Sequence, residues 1–302
     1  MENGAALASP GMAAADSRDS RVSVVVATRD RRDSLLATLA RLSALPERPR
    51  VVVVDNGSRD GSPDAVREAY PQFDVVALTR DRAAAARTIG ARRVRTSYVA
   101  FSDDDSWWAP GSLSRAADVL DCYPLLALVA GRVLVGGEER EDAFSTVLEK
   151  SPLTSDVALP GPSVLGFIAC ATVVRREPFL AVGGFHPRLA LAGEEALLAC
   201  DLANRGWKLA YVRDVVAHHH PSPKRDRARR RRDEVRNAFA TAWLRRPRTS
   251  AAAETATLVR AALTDPEARR GLCAGLLDLR WVLRERCVLK PDVEAALRAL
   301  GH

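Results

Sequence analysis

The sequence predicts an α/β protein in which a mostly parallel sheet is flanked by helices and followed by a helical C-terminal extension. Three observations carry this prediction. Continuous β-branched runs alternate with segments of helical periodicity through the first half of the chain, the order that builds βαβ units. Acidic, turn-forming clusters at Asp55 to Ser62 and at Asp103-Asp104-Asp105 follow two of those runs directly, where open α/β sheets hold their ligands. After residue 222 the chain becomes Arg-rich and carries an apolar stripe at helical spacing.

Composition sets the outer bounds. The chain has 302 residues, enough for one large core or two modest ones, with 47% hydrophobic and 27% charged residues, an ordinary globular balance. The net charge of +7, carried largely by the Arg-rich C-terminal segments, points to anionic partners: nucleotide diphosphates, acidic lipid surfaces or nucleic acid. Cys122, Cys170, Cys200, Cys273 and Cys287 show no Cys-x-x-Cys spacing, so a reducing cytoplasm is the expected location. The first 20 residues lack the basic start and apolar stretch of a secretory signal and read as a disordered tail. The longest apolar run, Val164 to Val174, is shorter than the ~20 residues of a spanning helix.

Arg21 to Ala27 is a nearly unbroken β-branched run, the pattern of a parallel strand covered on both faces. Asp33 or Ser34 can cap the helix that follows, with Leu35, Leu39 and Leu42 inward, and Val51 to Val54 completes a βαβ unit. Asp55, placed after that strand, can accept hydrogen bonds from a nucleotide's base or ribose; an Asx-type turn is the plainer alternative. Pro63 opens a second helix and Asp74 to Leu78 is a third strand. Arg80 to Arg95 reads as a helix bringing Arg82, Arg87 and Arg92 toward the same sheet edge, where guanidinium groups can meet phosphate. The fourth strand, Tyr98 to Phe101, delivers Asp103, Asp104 and Asp105. Three adjacent carboxylates repel one another unless a cation or hydrogen-bond donors offset them, and hard Mg²⁺ or Mn²⁺ suits such a turn; a solvated loop or cap is the alternative. Neither Gly-x-Gly-x-x-Gly after the first strand nor a P-loop occurs, which argues against dinucleotide-binding and P-loop domains.

Trp107 and Trp108 are either core or the wall of a sugar-sized pocket. A helix over Ser112 to Tyr123 precedes expected strands at Leu126 to Val135 and Ser163 to Val174, joined by a long polar connection, 136 to 162, of the kind that is often functional. A short helix from Arg175 ends at Gly183-Gly184. Glu194-Glu195 opens another, with Leu197, Leu198 and Leu202 inward and Gly206 as its stop; acidic residues in a first helical turn also favour the macrodipole. A strand from Lys208 to Ala217 leads to His218-His219-His220, in which alternation puts His218 and His220 on one face and His219 on the other.

Taken in order, Val24 to Arg29, Val53 to Asp60, Phe101 to Asp105, Gly183-Gly184-Phe185, Gly193-Glu194-Glu195 and His218 resemble a family 2 glycosyltransferase of the GT-A fold, over roughly residues 21 to 222. The resemblance implies a GT-A type, Rossmann-like sheet and a nucleotide diphosphate sugar donor. It further implies an inverting single displacement onto an acceptor hydroxyl, with Mg²⁺ or Mn²⁺ held at a DxD motif. Thr28, Arg29, Asp55, Ser58 and Arg87 would line the nucleotide-sugar site, and Asp103 and Asp104 would approach ribose and metal. Asp105 would be the main metal ligand, joined by Asp103 and His218, with His220 as the other histidine on that face. Glu195 falls where the family has the Asp of a Glu-Asp base pair; with Glu194 beside it, both glutamates are candidates for the general base. Arg87-Thr88 stands where many relatives have Arg-Asn. The implied division is 21–222 as the catalytic domain, with 21–125 as its nucleotide-sugar and metal half and 126–222 as its acceptor half, and 223–302 as a basic helical region.

In that region Lys224 to Arg232 opens a helix with Val235, Phe239 and Trp243 in register, and further helices are expected over Ala251 to Leu263, Pro266 to Leu283 and Pro291 to Leu300. Its charged face is either solvated or touches an anionic membrane, which would make the protein peripheral at the inner face, or a phosphate-bearing acceptor. No nucleic-acid recognition module is present, so no specific nucleic acid is expected. The competing functional readings are a sugar nucleotidyltransferase and a non-catalytic binder of acidic polymers or membranes.

Overall fold

The computed structural model describes residues 20–189, 192–221 and 226–301. Residues 1–19 of the expected tail, and Lys224 and Arg225 of the basic run, lie outside them.

Strand β1 (Val22–Thr28), helix α1 (Arg32–Ser43) and strand β2 (Arg50–Asp55) form the first βαβ unit, and α2 (Ser62–Ala69), β3 (Asp74–Ala77), α3 (Ala85–Arg93) and β4 (Tyr98–Asp103) extend it. All four strands are parallel, in the order β3-β2-β1-β4. Val24 and Val26 of β1 pack on Leu35, Leu39 and Leu113, whereas Val25 packs with Val52, Val54 and Phe101 on the other face. That two-sided burial explains the unbroken Val runs of β1 and β2, whose valines are all buried.

The expected cap at Asp33 or Ser34 is not formed. The N-cap is Arg31, with no side-chain hydrogen bond, and Ser34 Oγ instead donates to the carbonyl of Asp104 at 2.8 Å. Helix α3 is shorter than the expected Arg80 to Arg95, because Asn56 pins the preceding turn: its Nδ2 donates to Asp81 Oδ1 at 2.8 Å and its Oδ1 accepts from the Arg82 N–H at 2.7 Å.

After the aspartates comes a short strand absent from the sequence reading, β5 (Ser106–Trp108), followed by α4 (Ser112–Cys122) and β6 (Leu126–Val135). The long connection holds β7 (Arg140–Glu141) and α5 (Ala143–Glu149). The expected strand over Ser163 to Val174 is mostly not one: only β8 (Thr172–Arg175) is regular, preceded by a single 3-10 turn at Ala169–Ala171. An apolar run of that length is ambiguous between states, and Gly166 interrupts it. Then follow α6 (Arg176–Ala181), α7 (Glu194–Asn204) and β9 (Lys208–His219), which pairs parallel with β6 and antiparallel with β5. One sheet, β3-β2-β1-β4-β8-β6-β9-β5 with β7 on β6, therefore runs unbroken across residue 125.

Helices α8 (Arg227–Arg245), α9 (Arg248–Thr264), α10 (Pro266–Arg284) and α11 (Pro291–Ala299) complete the chain. Val235 and Phe239 of α8 close on Leu258, Ala262, Ala268 and Leu272 of α9 and α10. The close approach of α8 and α10 needs Gly271, where a Cβ would come within 2.4 Å of the Arg232 carbonyl oxygen. Leu197 of α7 joins Ala240, Leu244 and Val282, and Cys200 of α7 joins Val293 and Leu297. Helix α7, which opens on the glutamate pair, is thus packed from behind by the C-terminal helices; each buried Leu or Val of this seam is worth ~1.5–3 kcal/mol.

Candidate active site

An open cavity of about 960 Å³ lies at the carboxyl ends of β1 and β4. Thr28 to Arg31 and Asp103 to Asp105 line it from the sheet, and Glu194 and Glu195 from the first turn of α7. Asp142 enters from the β7–α5 connection, Phe144 from α5, His219 from β9, and Arg229 and Arg230 from α8.

The three aspartates have separate partners. Asp103 is ion-paired with Arg87, its backbone N–H donating to Ser106 Oγ at 2.7 Å. Asp104 is buried, accepting from Thr28 Oγ1 at 3.0 Å and meeting Arg31 Nε at 3.0 Å; its carbonyl accepts from Thr38 Oγ1 at 2.9 Å. Burial pushes its carboxyl up to about 7, with Asp105 and Asp103 adding to the shift and Arg31 opposing it. Asp105 meets Arg31 Nη2 at 3.0 Å and His219 Nε2 at 3.4 Å.

The histidine in the cavity is His219. Pairing of Ser106 with His219 and of Trp107 with His218 turns His219 toward Asp105 and the other two away. His218 stacks on Trp107, 5.5 Å between ring centroids, with Nδ1 3.1 Å from Glu139, and His220 also packs on Trp107. The alternation read from the sequence is present; the face assigned to the site is the opposite one. Burial holds the His218 imidazole below its ordinary value despite Glu139. Trp108 is fully buried in the core and Trp107 lies under Arg41, so neither tryptophan walls the cavity.

Asp55 and Ser58 are not among the residues lining the cavity: Asp55 Oδ2 accepts from the Ser58 N–H at 3.0 Å, while Oδ1 is buried with no hydrogen-bond partner. Ser58 Oγ accepts from the Asp30 N–H at 2.8 Å, and Arg29 is ion-paired with Asp81. Of the three arginines expected at this edge only Arg87 reaches the cavity; Arg82 and Arg92 are exposed and outside it. Arg87 is buried between Asp103 and Glu194, the latter at 3.7 Å. Burial alone would lower its pKa, but Asp103, Glu194 and Glu195 outweigh that and hold it above its usual value. Thr88, in place of the family's Asn, accepts from the Phe185 N–H at 2.9 Å. Gly184, at φ +70°, lets the backbone close on that hydroxyl, since a Cβ there would lie 2.5 Å from Thr88 Oγ1.

The two glutamates differ. Glu194 is buried and accepts from the Ala192 N–H at 2.6 Å, whereas Glu195 is partly exposed to the cavity. Ala192 holds a left-handed φ of +97°, unfavourable for a residue with a Cβ, and its carbonyl accepts from Asn237 Nδ2 of α8 at 2.8 Å. Burial, then the neighbouring Glu195 charge, push the Glu194 carboxyl well above the usual range, with Arg87 opposing. Native Glu194 consequently binds its proton more tightly than the unfolded chain does, so stability is fullest below pH ~4.5 and is lost as pH rises through the raised value. Gln at 194 mimics the neutral form. Glu194→Gln is expected to gain on wild type by up to ~1.4 kcal/mol for each pH unit crossed in that window. Urea denaturation of both proteins from pH 5 to 9 checks this; a pH-independent difference would contradict it.

Among the described residues no three His, Cys, Asp or Glu side chains converge on one point. Asp105 and His219 lie 3.4 Å apart in the cavity, Asp105 also meeting Arg31, while Asp103 is engaged by Arg87. A carboxylate and an imidazole with open positions for phosphate oxygens and water fit a hard divalent ion, which keeps several waters and takes few protein ligands. Sequence reasoning missed His219, Arg31, Asp142, Phe144, Arg229 and Arg230. The signal for His219 was the pairing with β5; the basic run of α8 allowed a phosphate-bearing acceptor but did not single out Arg229 and Arg230, because a charged helical face looks alike toward solvent or toward a cavity.

A parallel sheet end bearing an acidic turn, extended by a mixed half with β6, β8 and β9, is the GT-A fold of glycosyltransferases. A mannosyltransferase of Pyrobaculum calidifontis, solved with GDP-Man and Mn²⁺, superposes with a TM-score of 0.57 at 24% identity, covering 93% of this chain and 75% of that one. S. aureus TarS 1-349 in complex with UDP-GlcNAc gives 0.58 at 16% identity, covering 85% and 71%. The profile of glycosyl transferase family 2 matches residues 23–183, and the chain belongs to that family. A pre-mycofactocin glycosyltransferase of Mycobacterium tuberculosis is 32% identical over 213 residues, 68% of this chain and 44% of the relative, so the chain spans under half of that protein's length. An N-acetylglucosaminyl-diphospho-decaprenol L-rhamnosyltransferase of the same species is 25% identical over 60% of this chain and 70% of its own. The family match ends at 183, before the glutamate pair and the histidines. No helix of the described residues is long and apolar enough to cross a membrane.

Proposed function

We propose that this protein is an inverting glycosyltransferase that moves a sugar from a nucleotide diphosphate donor to an acceptor hydroxyl, assisted by Mg²⁺ or Mn²⁺. The observation that carries the reading is a single cavity holding the Asp103 to Asp105 turn, His219 and the partly exposed Glu195. Asp55 Oδ1, buried without a partner, suits a nucleobase N–H, with Thr28, Arg29 and Ser58 beside it on the donor side. Asp105 and His219 would hold the cation, which when bound would supply Lewis-acid stabilisation of the leaving diphosphate. Arg31 pairs with Asp104 and Asp105, and Arg87 with Asp103, which fixes the turn in place. Glu195 takes the proton of the acceptor hydroxyl as it attacks the anomeric carbon, on the face opposite the departing diphosphate, and this single displacement inverts the centre. Phe144 and Asp142 supply an apolar face and a hydrogen-bond acceptor on the acceptor side. Arg229 and Arg230 bring positive charge to the same cavity.

Nucleoside diphosphate release from a panel of sugar nucleotides, measured with Mn²⁺ and with EDTA, tests this. Turnover is expected to fall at least ~100-fold with EDTA and in Asp105→Ala, the scale of losing a fixed charge at the leaving group. Undiminished turnover in both would remove the metal from the mechanism, and pyrophosphate release from a nucleoside triphosphate would replace transfer with sugar-nucleotide synthesis.

A further inference from the structure

We propose that the outward faces of α9 and α10 are a docking surface for an anionic lipid bilayer, on which exposed leucines enter the headgroup boundary and flanking arginines bind lipid phosphates. The surface is independent of the cavity. Leu277 is 86% exposed, Leu263 76% and Leu276 50%, an unusual concentration of free apolar side chains on one helical pair. Helices α9 and α10 pack beside each other and both pack on α8, so the sides turned from α8 adjoin.

The charge pattern selects the partner. Every carboxylate of α10 is engaged from within the chain: Glu267 with Arg270 and Arg232, and Asp278 with Arg236. Asp265, the N-cap of α10, is held by Arg231. Glu254 of α9 stands one turn before the buried Leu258 and so belongs to the inner stripe. Exposed Arg260, Arg280 and Arg284 are left interleaved with the leucines, with no carboxylate partner among the described residues. A second copy offering the same face would set arginine against arginine, which is disfavoured. An anionic bilayer supplies phosphate to each guanidinium and an apolar layer to each leucine, the mode of helices that lie in the interface plane. The basic helix α8, expected from the sequence to supply such a contact, is instead committed: Arg230, Arg231, Arg232 and Arg236 pair with Glu234, Asp265, Glu267 and Asp278.

Co-sedimentation of the full chain with phosphatidylcholine vesicles, with and without a fraction of phosphatidylglycerol, tests the surface. Wild type is expected to pellet with the anionic vesicles alone and to be released by high salt. Leu263→Glu combined with Leu277→Glu, and separately Arg280→Glu combined with Arg284→Glu, should each weaken binding at least ~10-fold, as loss of paired apolar and charge anchors implies. Both pairs are exposed, so melting temperatures should match wild type and separate lost docking from lost folding. Equal pelleting of wild type and both variants, or no pelleting of wild type, overturns the proposal. So does a wild-type dimer in light scattering that the leucine variant converts to monomer.

Discussion

Glu195→Gln is expected to lower kcat by ~10²–10⁴-fold while leaving donor binding unchanged, because a general base contributes about that much and the amide keeps the side chain's size and shape while losing its charge and basicity. The assignment to Glu195 follows from the buried charges around it. Arg87 and Asp103 form one ion pair, and burial drives the Glu194 carboxyl toward its neutral form against the pull of that same arginine. Glu194 also accepts from the Ala192 N–H, which commits it to the loop entering α7. Both glutamates line the cavity, and Glu195 is the more exposed of the two. Steady-state turnover with a fixed donor, together with isothermal titration of the nucleoside diphosphate, separates catalysis from binding. A crippled Glu194→Gln beside a competent Glu195→Gln would move the base by one residue. A loss of nucleotide affinity in Glu195→Gln would mean that the carboxylate holds the donor rather than the acceptor proton.

How much of this was legible in the sequence depended on the kind of element. Strands β1 and β2 could be located to within a residue because two-sided burial writes a nearly unbroken β-branched run, and β4 and β6 to within two residues as short apolar runs. The acidic turns could be read because they interrupt such runs abruptly. Ser106–Trp108, three residues long, has no period to detect, and missing it hid which face of β9 meets the aspartates. Alternation correctly separated His219 from His218 and His220, yet alternation cannot say which face is the inner one. That is fixed by a strand pair distant in sequence. The same limit applies to α8, whose amphipathic stripe gave the buried Val235 and Phe239 but not the Arg229 and Arg230 contribution to the cavity. Asn237 was equally silent, since a buried amide holding a loop carbonyl has no local signature.

Arg87→Met is expected to destabilise the fold by ~3–5 kcal/mol, the scale of breaking a buried ion pair by removing one partner. Methionine fills much of the guanidinium's volume, so the loss is electrostatic more than steric. It strands Asp103 and Glu194, whose shared cation is gone, beside a fully buried Phe185 whose ring lies 5.6 Å from the Arg87 guanidinium carbon. Asp103 is the more exposed of the two and can recover solvation, which places the effect toward the lower end of that range. Lysine is not expected to rescue, because one ammonium cannot span two carboxylates as the planar fork does. Adding Asp103→Asn to Arg87→Met should return part of the loss, with a coupling of ~0.5–3 kcal/mol in the double-mutant cycle from urea midpoints. Additive effects would mean that Arg87 acts through its packing on Phe185 rather than through Asp103. The cycle also bears on catalysis: if Arg87 orders the aspartate turn, Arg87→Met should lose metal-dependent thermal stabilisation by a donor nucleotide even at temperatures where the variant remains folded.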